Sequence, residues 1–229
     1  MPLHPPQIPP RPDWPSLVET VLLDMDGTLL DRHFDDYFWH QYLPEHFSLK
    51  HEIGIEEARR RLRAEYLARE GTLAWTDLDY WSERLGLDIP ELKMRVEQLI
   101  AVHPYVIDFL DYCRRIGKQV CLVTNAHSKT LAIKMEKTAL AGHFDQIICA
   151  EEIGLAKEEP EFWQRLARRL AYRPARTLLA DDTEKVLDAA QRAGIGLLIH
   201  VARPSSRSPV IYSGKYPSIV YFKELLPGG

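Results

Sequence analysis

Hydrophobic positions divide the chain into two textures. Between residues 32 and 102, apolar side chains recur at three- and four-residue steps, a spacing that places them on one face of a helix. This pattern predicts four helices, over residues 35–47, 54–70, 76–85 and 90–101. Pro90 suits a helical first turn, and Gly71 and Gly86 suit helix ends.

From residue 103 onward, short apolar runs alternate with amphipathic stretches. The apolar runs predict strands over residues 119–124, 146–149, 177–180 and 196–200. The stretches between them predict helices over residues 105–116, 129–141, 160–171 and 184–193. Strands that alternate with helices in this way form a parallel sheet through right-handed crossovers. Residues 203–218, rich in proline and serine, predict an irregular connection.

An earlier apolar run, Val21 to Leu23, predicts a further strand of the same sheet. The predicted fold class is therefore α/β, with a doubly wound, Rossmann-like parallel sheet and a helical insertion after its first strand. The expected domains are a core formed by residues 19–31 and 103–229 and a helical cap formed by residues 32–102. Seven prolines among the first 15 residues predict a flexible or polyproline-like arm over residues 1–18.

Two carboxylates directly follow the strand over Val21 to Leu23. Asp24 and Asp26 are expected at its carboxyl end, where open α/β sheets place their ligand sites. Carboxylates this close repel each other, and both stay ionised when a cation lies between them. Gly27 lets the backbone turn tightly around a bound group. The pattern predicts a magnesium-dependent enzyme that transfers phosphoryl groups.

Polar residues also follow two later predicted strands. Thr124 and Asn125 offer a hydroxyl group and the backbone amides of a helix start, which suit a phosphate. Asp181 and Asp182 form a carboxylate pair, which predicts either metal coordination or a cap for the next helix. Lys157, in an acidic loop, is either a solvated lysine or a phosphate ligand.

Composition narrows the classes of function. A chain of 229 residues suffices for one α/β core with a modest insertion, and 45% hydrophobic content is typical of globular proteins. The net charge of −4 argues against a nucleic acid polymer as partner. We find neither an apolar run approaching the ~20 residues of a membrane span nor a signal-peptide core. We therefore expect a cytoplasmic protein that binds a small molecule; the sequence indicates no oligomeric state.

The three cysteines are expected to be buried and reduced. Cys113, Cys121 and Cys149 are odd in number and lie in apolar-periodic segments. Reduced thiols fit the cytosol, where disulfides are rare.

Residues 24–28, Asp-Met-Asp-Gly-Thr, resemble the first motif of the haloacid dehalogenase-like (HAD) hydrolases, most of which are phosphatases. Thr124, Lys157 and the pair at residues 181–182 follow in the order of that family's other motifs. The resemblance covers residues 19–200 and implies a type 1 cap over a Rossmann-like core. At the third motif the chain has Lys-Glu-Glu-Pro where many relatives have Lys-Pro-Asp-Pro. Asp26 and the acidic pair favour the phosphatase branch over the dehalogenases.

The resemblance implies a role for each of these positions. Asp24 would be the nucleophile, and Asp26 would protonate the leaving oxygen and then activate water. Thr124 and Asn125 would bind the phosphoryl group. Lys157 would bond both the nucleophile and the phosphate.

The same resemblance implies Mg²⁺ as the cofactor. Its ligands would be Asp24, Asp182 and the main-chain carbonyl of Asp26, with Asp181 in or near the outer shell. The substrate would be a small phosphate monoester, hydrolysed through an aspartyl-phosphate intermediate.

Aromatic residues concentrate in the predicted cap and bear on the substrate. The segments 34–39, 78–83 and 124–127 look like those of bacterial GMP/IMP 5′-nucleotidases, which release phosphate from purine nucleotides. Candidate substrate contacts are His127, Phe38, Trp39, Tyr80 and Trp81. An aromatic ring would stack on the purine base; the alternative is that these rings pack the cap's own helical core.

Three other functions are left open by the sequence. One is a phosphatase for another small phosphate ester, such as phosphoglycolate or a sugar phosphate. A second is a phosphomutase, which has to shield its intermediate from water. A non-catalytic binding module, the third, is expected to lack the nucleophile, whereas every catalytic position is filled here.

Overall fold

Six parallel strands form the centre of the molecule in a computed structural model that describes residue 10 and residues 13–228. The strands are β1 (Thr20–Leu23), β2 (Gln119–Thr124), β3 (Gln146–Cys149), β4 (Thr177–Asp181), β5 (Leu197–Val201) and β6 (Ser218–Ile219). Their spatial order is β3-β2-β1-β4-β5-β6. The order reverses at β1, whose neighbours are β2 and β4. Ligands of open α/β sheets bind at such a reversal, beyond the carboxyl ends of the strands.

Helices cover both faces of this sheet. They are α1 (Trp14–Leu17), α8 (Val106–Arg115), α9 (Ser128–Thr138), α10 (Ala150–Ile153), α11 (Pro160–Leu170) and α12 (Glu184–Arg192), with short 3₁₀ turns at Leu140–His143, Pro174–Arg176 and Phe222–Leu225. Alternate side chains of β1 enter different hydrophobic cores. Val21 and Leu23 pack with α8, whereas Leu22 packs with α11 and α12. Burial on both faces explains why this strand is a continuous apolar run.

The chain between β1 and α8 is entirely helical from residue 33 to residue 99, apart from its turns. Its helices are α2 (His33–Tyr37), a π-helical turn (Phe38–Tyr42), α3 (Leu43–His51), α4 (Ile55–Leu67), α5 (Leu73–Thr76), α6 (Leu78–Leu85), α7 (Ile89–Met94) and a 3₁₀ turn (Glu97–Leu99). The two connections between this helical segment and the sheet, one entering it and one leaving it, lie side by side. Asp31 N donates to Ala101 O at 2.9 Å, and His103 N donates to Leu29 O at 2.9 Å.

The α/β class and the parallel sheet are confirmed, and β2 and β3 have the predicted bounds. The helix predicted over residues 90–101 is wrong beyond Met94, where the chain leaves the α-helix and forms a 3₁₀ turn. Val96 and Ile100 are nonetheless buried. Apolar residues spaced three to four apart indicate that one side of the chain is buried. This spacing occurs in both α-helices and 3₁₀ turns, so it does not distinguish between them. The short strand β6 was not predicted.

The flexible arm predicted over residues 1–18 is wrong at its carboxyl end. Trp14 begins α1 and is buried, and its Nε1 donates to Leu225 O at 3.0 Å. Its ring also packs against Phe109, with the ring centroids 5.8 Å apart. A buried indole with a bonded N–H stabilises the contact it makes, and this outweighs the local effect of the prolines. Residues 1–9 and 11–12 lie outside the described part of the chain.

Cys113, Cys121 and Cys149 are buried and unpaired, as predicted. Burial raises the pKa of the Cys121 thiol to about 11. These thiols therefore act as small apolar side chains, Cys113 and Cys121 within the two hydrophobic cores. In residues 13–228, no helix is long and apolar enough to cross a membrane.

Candidate active site

Three carboxylates meet where β1 and β4 end. Asp24, Asp181 and Asp182 each offer an oxygen atom, and these oxygens all lie within 4.8 Å of one another. Their proximity follows from the register, since β1 and β4 are neighbouring parallel strands. Gly27, with φ +87°, completes the turn, and a Cβ atom at this position would lie 2.5 Å from Asp182 Oδ2. Only glycine therefore fits where the turn passes the carboxylates.

Lys157 reaches this group from the loop before α11. Its ammonium donates to Asp24 Oδ1 at 2.5 Å, to Asp181 Oδ2 at 2.7 Å and to Val123 O at 3.1 Å. Burial alone would lower the pKa of Lys157, but attraction to Asp181 and Asp24 outweighs it and raises the pKa. Lys157 is thus a buried, permanently charged partner of the strand-end acids, and the solvated-lysine alternative is wrong. We call Lys157, Asp24, Asp181 and Asp182 the Lys157 cluster.

The Lys157 cluster holds more negative charge than its own lysine balances. Arg32 Nη1 also donates to Asp182 Oδ2, at 2.8 Å. Even so, burial raises the pKa of Asp24 to about 6, assisted by Asp181 and opposed by Lys157. Burial, together with Asp181 and Asp24, raises the pKa of Asp182 well above its ordinary value. A buried set of carboxylate oxygens with uncompensated charge fits a hard divalent cation such as Mg²⁺.

The two acids of the strand-end pair differ in the groups that bond their carboxylate oxygens. Both carboxylate oxygens of Asp181 are engaged, because Oδ2 accepts from Lys157 and Oδ1 accepts from Thr183 N at 2.9 Å. Both acids line the cavity, but the oxygens of Asp182 accept from the partly exposed Arg32 side chain and, at 3.3 Å, from the Thr183 hydroxyl, and not from a buried ammonium and a backbone amide. This arrangement favours Asp182 as the direct ligand of the pair.

The end of β2 faces the same space. Thr124 Oγ1 accepts from Ala126 N at 2.9 Å, which fixes the turn into α9. Asn125 links the end of β2 to the loop that carries Lys157, because its Oδ1 accepts from Lys157 N at 3.0 Å. His127 is the N-cap of α9, and its Nε2 lies 3.3 Å from Glu151 Oε2. All four predicted residues of this side, Thr124, Asn125, His127 and Lys157, line one cavity.

A second group of buried charges surrounds Asp26. Lys134, on α9, donates to Asp26 Oδ1 at 2.5 Å and to Asp35 Oδ2 at 2.6 Å. Lys93, on α7, donates to Asp35 Oδ1 at 2.7 Å. Burial opposes ionisation of Asp35, yet the two lysines hold its pKa below the ordinary value. We call Asp26, Lys134, Asp35 and Lys93 the Lys134 cluster.

One cavity of about 280 Å³ touches both clusters. Its floor is formed by the strand ends and its roof by the helical segment at residues 33–99. The roof residues are Asp35, Asp36, Trp39, His40, Trp75, Thr76, Leu78 and Lys93. The cavity therefore lies between the sheet edge and the helices that follow the first motif.

Only part of the predicted aromatic set reaches this cavity. Trp39 lines it, whereas the lining includes none of Phe38, Tyr80 and Trp81, so the structure does not bring these three predicted contacts to the cavity. Phe38 and Trp81 are buried in the hydrophobic core, where an amphipathic helix turns its apolar face. Tyr80 accepts at its hydroxyl from Arg69 Nε, at 2.7 Å. Trp75, which stacks on Trp39 with ring centroids 6.3 Å apart, lines the cavity instead.

Sequence reasoning missed Arg32, Asp35, Lys93 and Lys134. Charged residues at apolar-periodic positions are a signal for three of them. Lys134 lies three residues after Leu131 on α9, a spacing that places both on one helix face, and it is 1% exposed. No local motif pairs these residues, because they come from three elements far apart in sequence.

Known proteins resemble the chain over nearly its whole length. It is 39% identical over 210 residues to the GMP/IMP nucleotidase YrfG of Escherichia coli (strain K12), covering 92% of this chain and 95% of that protein. It is 25% identical over 185 residues to phosphoglycolate phosphatase 1 of Pseudomonas aeruginosa, covering 78% and 68% of the two chains. A crystal structure of a HAD phosphatase from Thermococcus onnurineus matches with a TM-score of 0.75 and 26% identity, covering 91% of this chain and 96% of that one.

The family assignment rests on a match to a family model that spans most of the chain. The model of the haloacid dehalogenase-like hydrolases matches residues 18–194, which include both clusters. Sheet order, strand-end acids and the buried lysine agree with the resemblance that the motifs carry. The chain belongs to the haloacid dehalogenase-like hydrolase family and is a hydrolase of its phosphatase kind.

Proposed function

We propose that the protein is a Mg²⁺-dependent phosphomonoesterase that acts on purine 5′-monophosphates, with GMP and IMP as its best substrates. The observation that carries the catalytic part is the Lys157 cluster. It places a carboxylate, Asp24, beside a buried ammonium at 2.5 Å, with two further acids at the next strand end.

Asp24 is the proposed nucleophile. Its carboxylate oxygen attacks phosphorus in line as the bond from phosphorus to the ester oxygen breaks, giving an aspartyl-phosphate. Lys157 offsets the repulsion between the anionic nucleophile and the anionic phosphate. Asp24, Asp182 and the Asp26 carbonyl would hold Mg²⁺, which when bound supplies Lewis-acid polarisation of the phosphoryl oxygens. Thr124 and Asn125 line the cavity on the phosphate side.

Asp26 is the proposed general acid and base. Its side chain is 26% exposed and lines the cavity two residues from the nucleophile. Burial raises the pKa of Asp26 to about 6, with Lys134 opposing the rise and Asp35 and Asp24 adding to it. A carboxyl group with that pKa is available in both protonation states near neutral pH. It gives a proton to the leaving oxygen and takes one from the attacking water.

Three observations support a purine nucleotide as substrate. The E. coli relative at 39% identity is named a GMP/IMP nucleotidase. Trp39 and Trp75 line the cavity, and an indole ring offers a stacking surface for a base. The helical segment at residues 33–99 would act as the cap, because it contributes eight residues to the cavity lining, among them both tryptophans. Binding of the base would then drive closure over the phosphate.

A substrate panel tests this proposal. With Mg²⁺ present, we expect kcat/KM for IMP and GMP to exceed that for ribose 5-phosphate, which carries the same phosphate and sugar without a base. Phosphoglycolate and a sugar phosphate complete the panel. Equal values for IMP, ribose 5-phosphate and phosphoglycolate would leave a phosphatase of small esters and reject the nucleotidase.

Replacing one cavity ring tests the stacking surface. Trp75→Leu is expected to cost roughly 1–3 kcal/mol of the preference for IMP over ribose 5-phosphate, in line with other base–aromatic contacts. Tyr80→Leu is the matched control, because Tyr80 lies on the neighbouring helix α6 and is absent from the cavity lining. An equal loss in both variants would indicate general damage to the helical segment and not base stacking.

A further inference from the structure

The carboxylate of Asp26 accepts a hydrogen bond from the ammonium of Lys134, a residue to which the proposed reaction assigns no other role. Lys134 is 1% exposed at its side chain, while Asp26 is 26% exposed and faces the cavity. The bond joins Lys134 Nζ to one carboxylate oxygen only, Asp26 Oδ1. Lys134 therefore lies on the protein side of Asp26, and the carboxyl group presents its other edge to the cavity.

The position of Lys134 is itself fixed by its neighbours. Its ammonium donates to Asp35 Oδ2 at 2.6 Å and lies 5.3 Å from the centroid of the Phe34 ring. Asp35 is anchored in turn by Lys93, whose ammonium lies 4.9 Å from the same ring. Because buried ion pairs require good geometry to offset desolvation, such a group has few alternative arrangements.

The Lys134 cluster also spans the two parts of the molecule. Lys134 lies on α9, which follows β2, whereas Asp35 and Lys93 lie on α2 and α7 of the helical segment. Asp26 belongs to the turn after β1. The carboxyl group of Asp26 is therefore oriented by a bond whose own geometry depends on how the helical segment packs on the core.

We propose that Lys134 is a positioning residue for proton transfer, aiming the Asp26 carboxyl group at the leaving oxygen of the ester. This rests on the proposed function in one respect, namely that Asp26 is the general acid. The proton moves from Asp26 to the ester oxygen as the phosphorus–oxygen bond breaks, and Asp26 is left as a carboxylate. Lys134 keeps its own proton throughout. In the second step Asp26 takes a proton from water as the aspartyl-phosphate is hydrolysed, which restores the starting state.

Leaving-group dependence separates this role from a merely structural one. An alkoxide such as the 5′-oxygen of a nucleoside needs a proton to leave, whereas p-nitrophenolate leaves without one. The value of kcat/KM reports the steps up to leaving-group departure and excludes the later hydrolysis of the intermediate. We expect Lys134→Met to lower kcat/KM for IMP by about tenfold or more beyond its loss on p-nitrophenyl phosphate, within the usual range for general acid catalysis.

Lys93→Met is the matched control for the loss of a buried charge. Lys93 is buried to the same extent as Lys134 and, like Lys134, donates to Asp35, but it has no hydrogen bond to Asp26. It is expected to lower stability with a much smaller difference between the two substrates. Lys137→Met, one turn along α9 and exposed, controls for changes to that helix. Melting curves for each variant show that the folded enzyme is being compared.

Equal losses on IMP and p-nitrophenyl phosphate in Lys134→Met, or an equally large difference in Lys93→Met, would overturn the proposal. If Lys134→Met does not fold, Lys134→Gln, which keeps an N–H donor, is expected to show the same difference to a smaller degree. If the wild type does not prefer IMP, the nucleotidase proposal fails alone. The comparison is then made with whichever alkyl phosphate the wild type hydrolyses, against the same p-nitrophenyl ester.

Discussion

The Lys157 cluster and the Lys134 cluster lie on the same cavity and are both built from buried aspartates and lysines, but their charge balance differs. The Lys157 cluster sets three carboxylates against one lysine, with Arg32 at its edge. The Lys134 cluster sets Asp26 and Asp35 against Lys134 and Lys93. One cluster carries an excess of negative charge and the other is balanced.

This difference in charge balance indicates different roles for the Lys157 cluster and the Lys134 cluster. Burial is the largest cause of the raised pKa of Asp24 and Asp182, and the neighbouring carboxylates raise it further. A bound cation would therefore stabilise the ionised carboxylates of this site. In the balanced cluster Lys134 and Lys93 lower the pKa of Asp35, whereas burial raises that of Asp26. Asp35 and the two lysines therefore satisfy one another without a ligand. The excess of negative charge therefore favours cation binding at the Lys157 cluster, whereas the charge balance of the Lys134 cluster favours a fixed geometry around Asp26.

Asp24→Asn should have the largest effect. An amide is not a nucleophile, so we expect phosphate release with Mg²⁺ to fall by at least about 10³-fold, as is usual when a nucleophile is removed. The fold should persist, because the substitution removes one charge from a cluster with an excess of them. Steady-state phosphate release and the melting temperature measure the two effects, with exposed Asp108→Asn as control. Substantial turnover by Asp24→Asn would remove Asp24 as nucleophile.

Asp35→Asn tests the balanced cluster through stability. Removing this carboxylate leaves Lys93 and Lys134 facing each other, and breaking a buried pair costs about 3–5 kcal/mol. The folded pKa of Asp35 is lowered, so its contribution is present above the unfolded value of about 3.9 and is lost as pH falls through the folded pKa. Denaturant unfolding of the wild type and the variant should differ most above about pH 5 and converge in acid. A difference independent of pH would contradict the ionised form of Asp35.

The smallest expected effect concerns Mg²⁺ and distinguishes the two acids at the end of β4. Ligand binding to the folded state adds about 2.7 kcal/mol at a concentration one hundred times the dissociation constant. We expect Mg²⁺ to raise the melting temperature of the wild type and Asp182→Asn to abolish most of that rise. Asp181→Asn should retain more of it, because the buried Lys157 and Thr183 N hold the Asp181 oxygens. Asp182 instead accepts from the partly exposed Arg32 and, at 3.3 Å, from the Thr183 hydroxyl. The opposite ranking would make Asp181 the direct ligand.

The positions of Asp24 and Asp182 could be predicted from the sequence because each directly follows a strand. The carboxyl ends of parallel strands lie at one edge of the sheet, so the sequence pattern placed Asp24 and Asp182 at that edge, and the family resemblance implied that they share a metal ion. That β1 and β4 are neighbours is shown by the structure. Lys157 was predicted by family resemblance, and its burial between two aspartates is a tertiary fact. The cap aromatics show the limit of the method. Helical spacing does not distinguish Trp39, which reaches the cavity, from Phe38, which packs the core.

The sequence by itself determined the α/β class, most strand positions and the acids at the sheet edge, because apolar periodicity and strand-end position are local properties. Tertiary structure alone decided that Lys134 and Lys93 meet Asp35, and that Lys134 reaches Asp26. Lys134, Lys93 and Asp35 come from separate helices and Asp26 from the turn after β1, and each helix pattern indicates only that one face of the helix is buried. Which buried charges pair across helices depends on how the helices pack, and a single chain's periodicity contains no information about that packing.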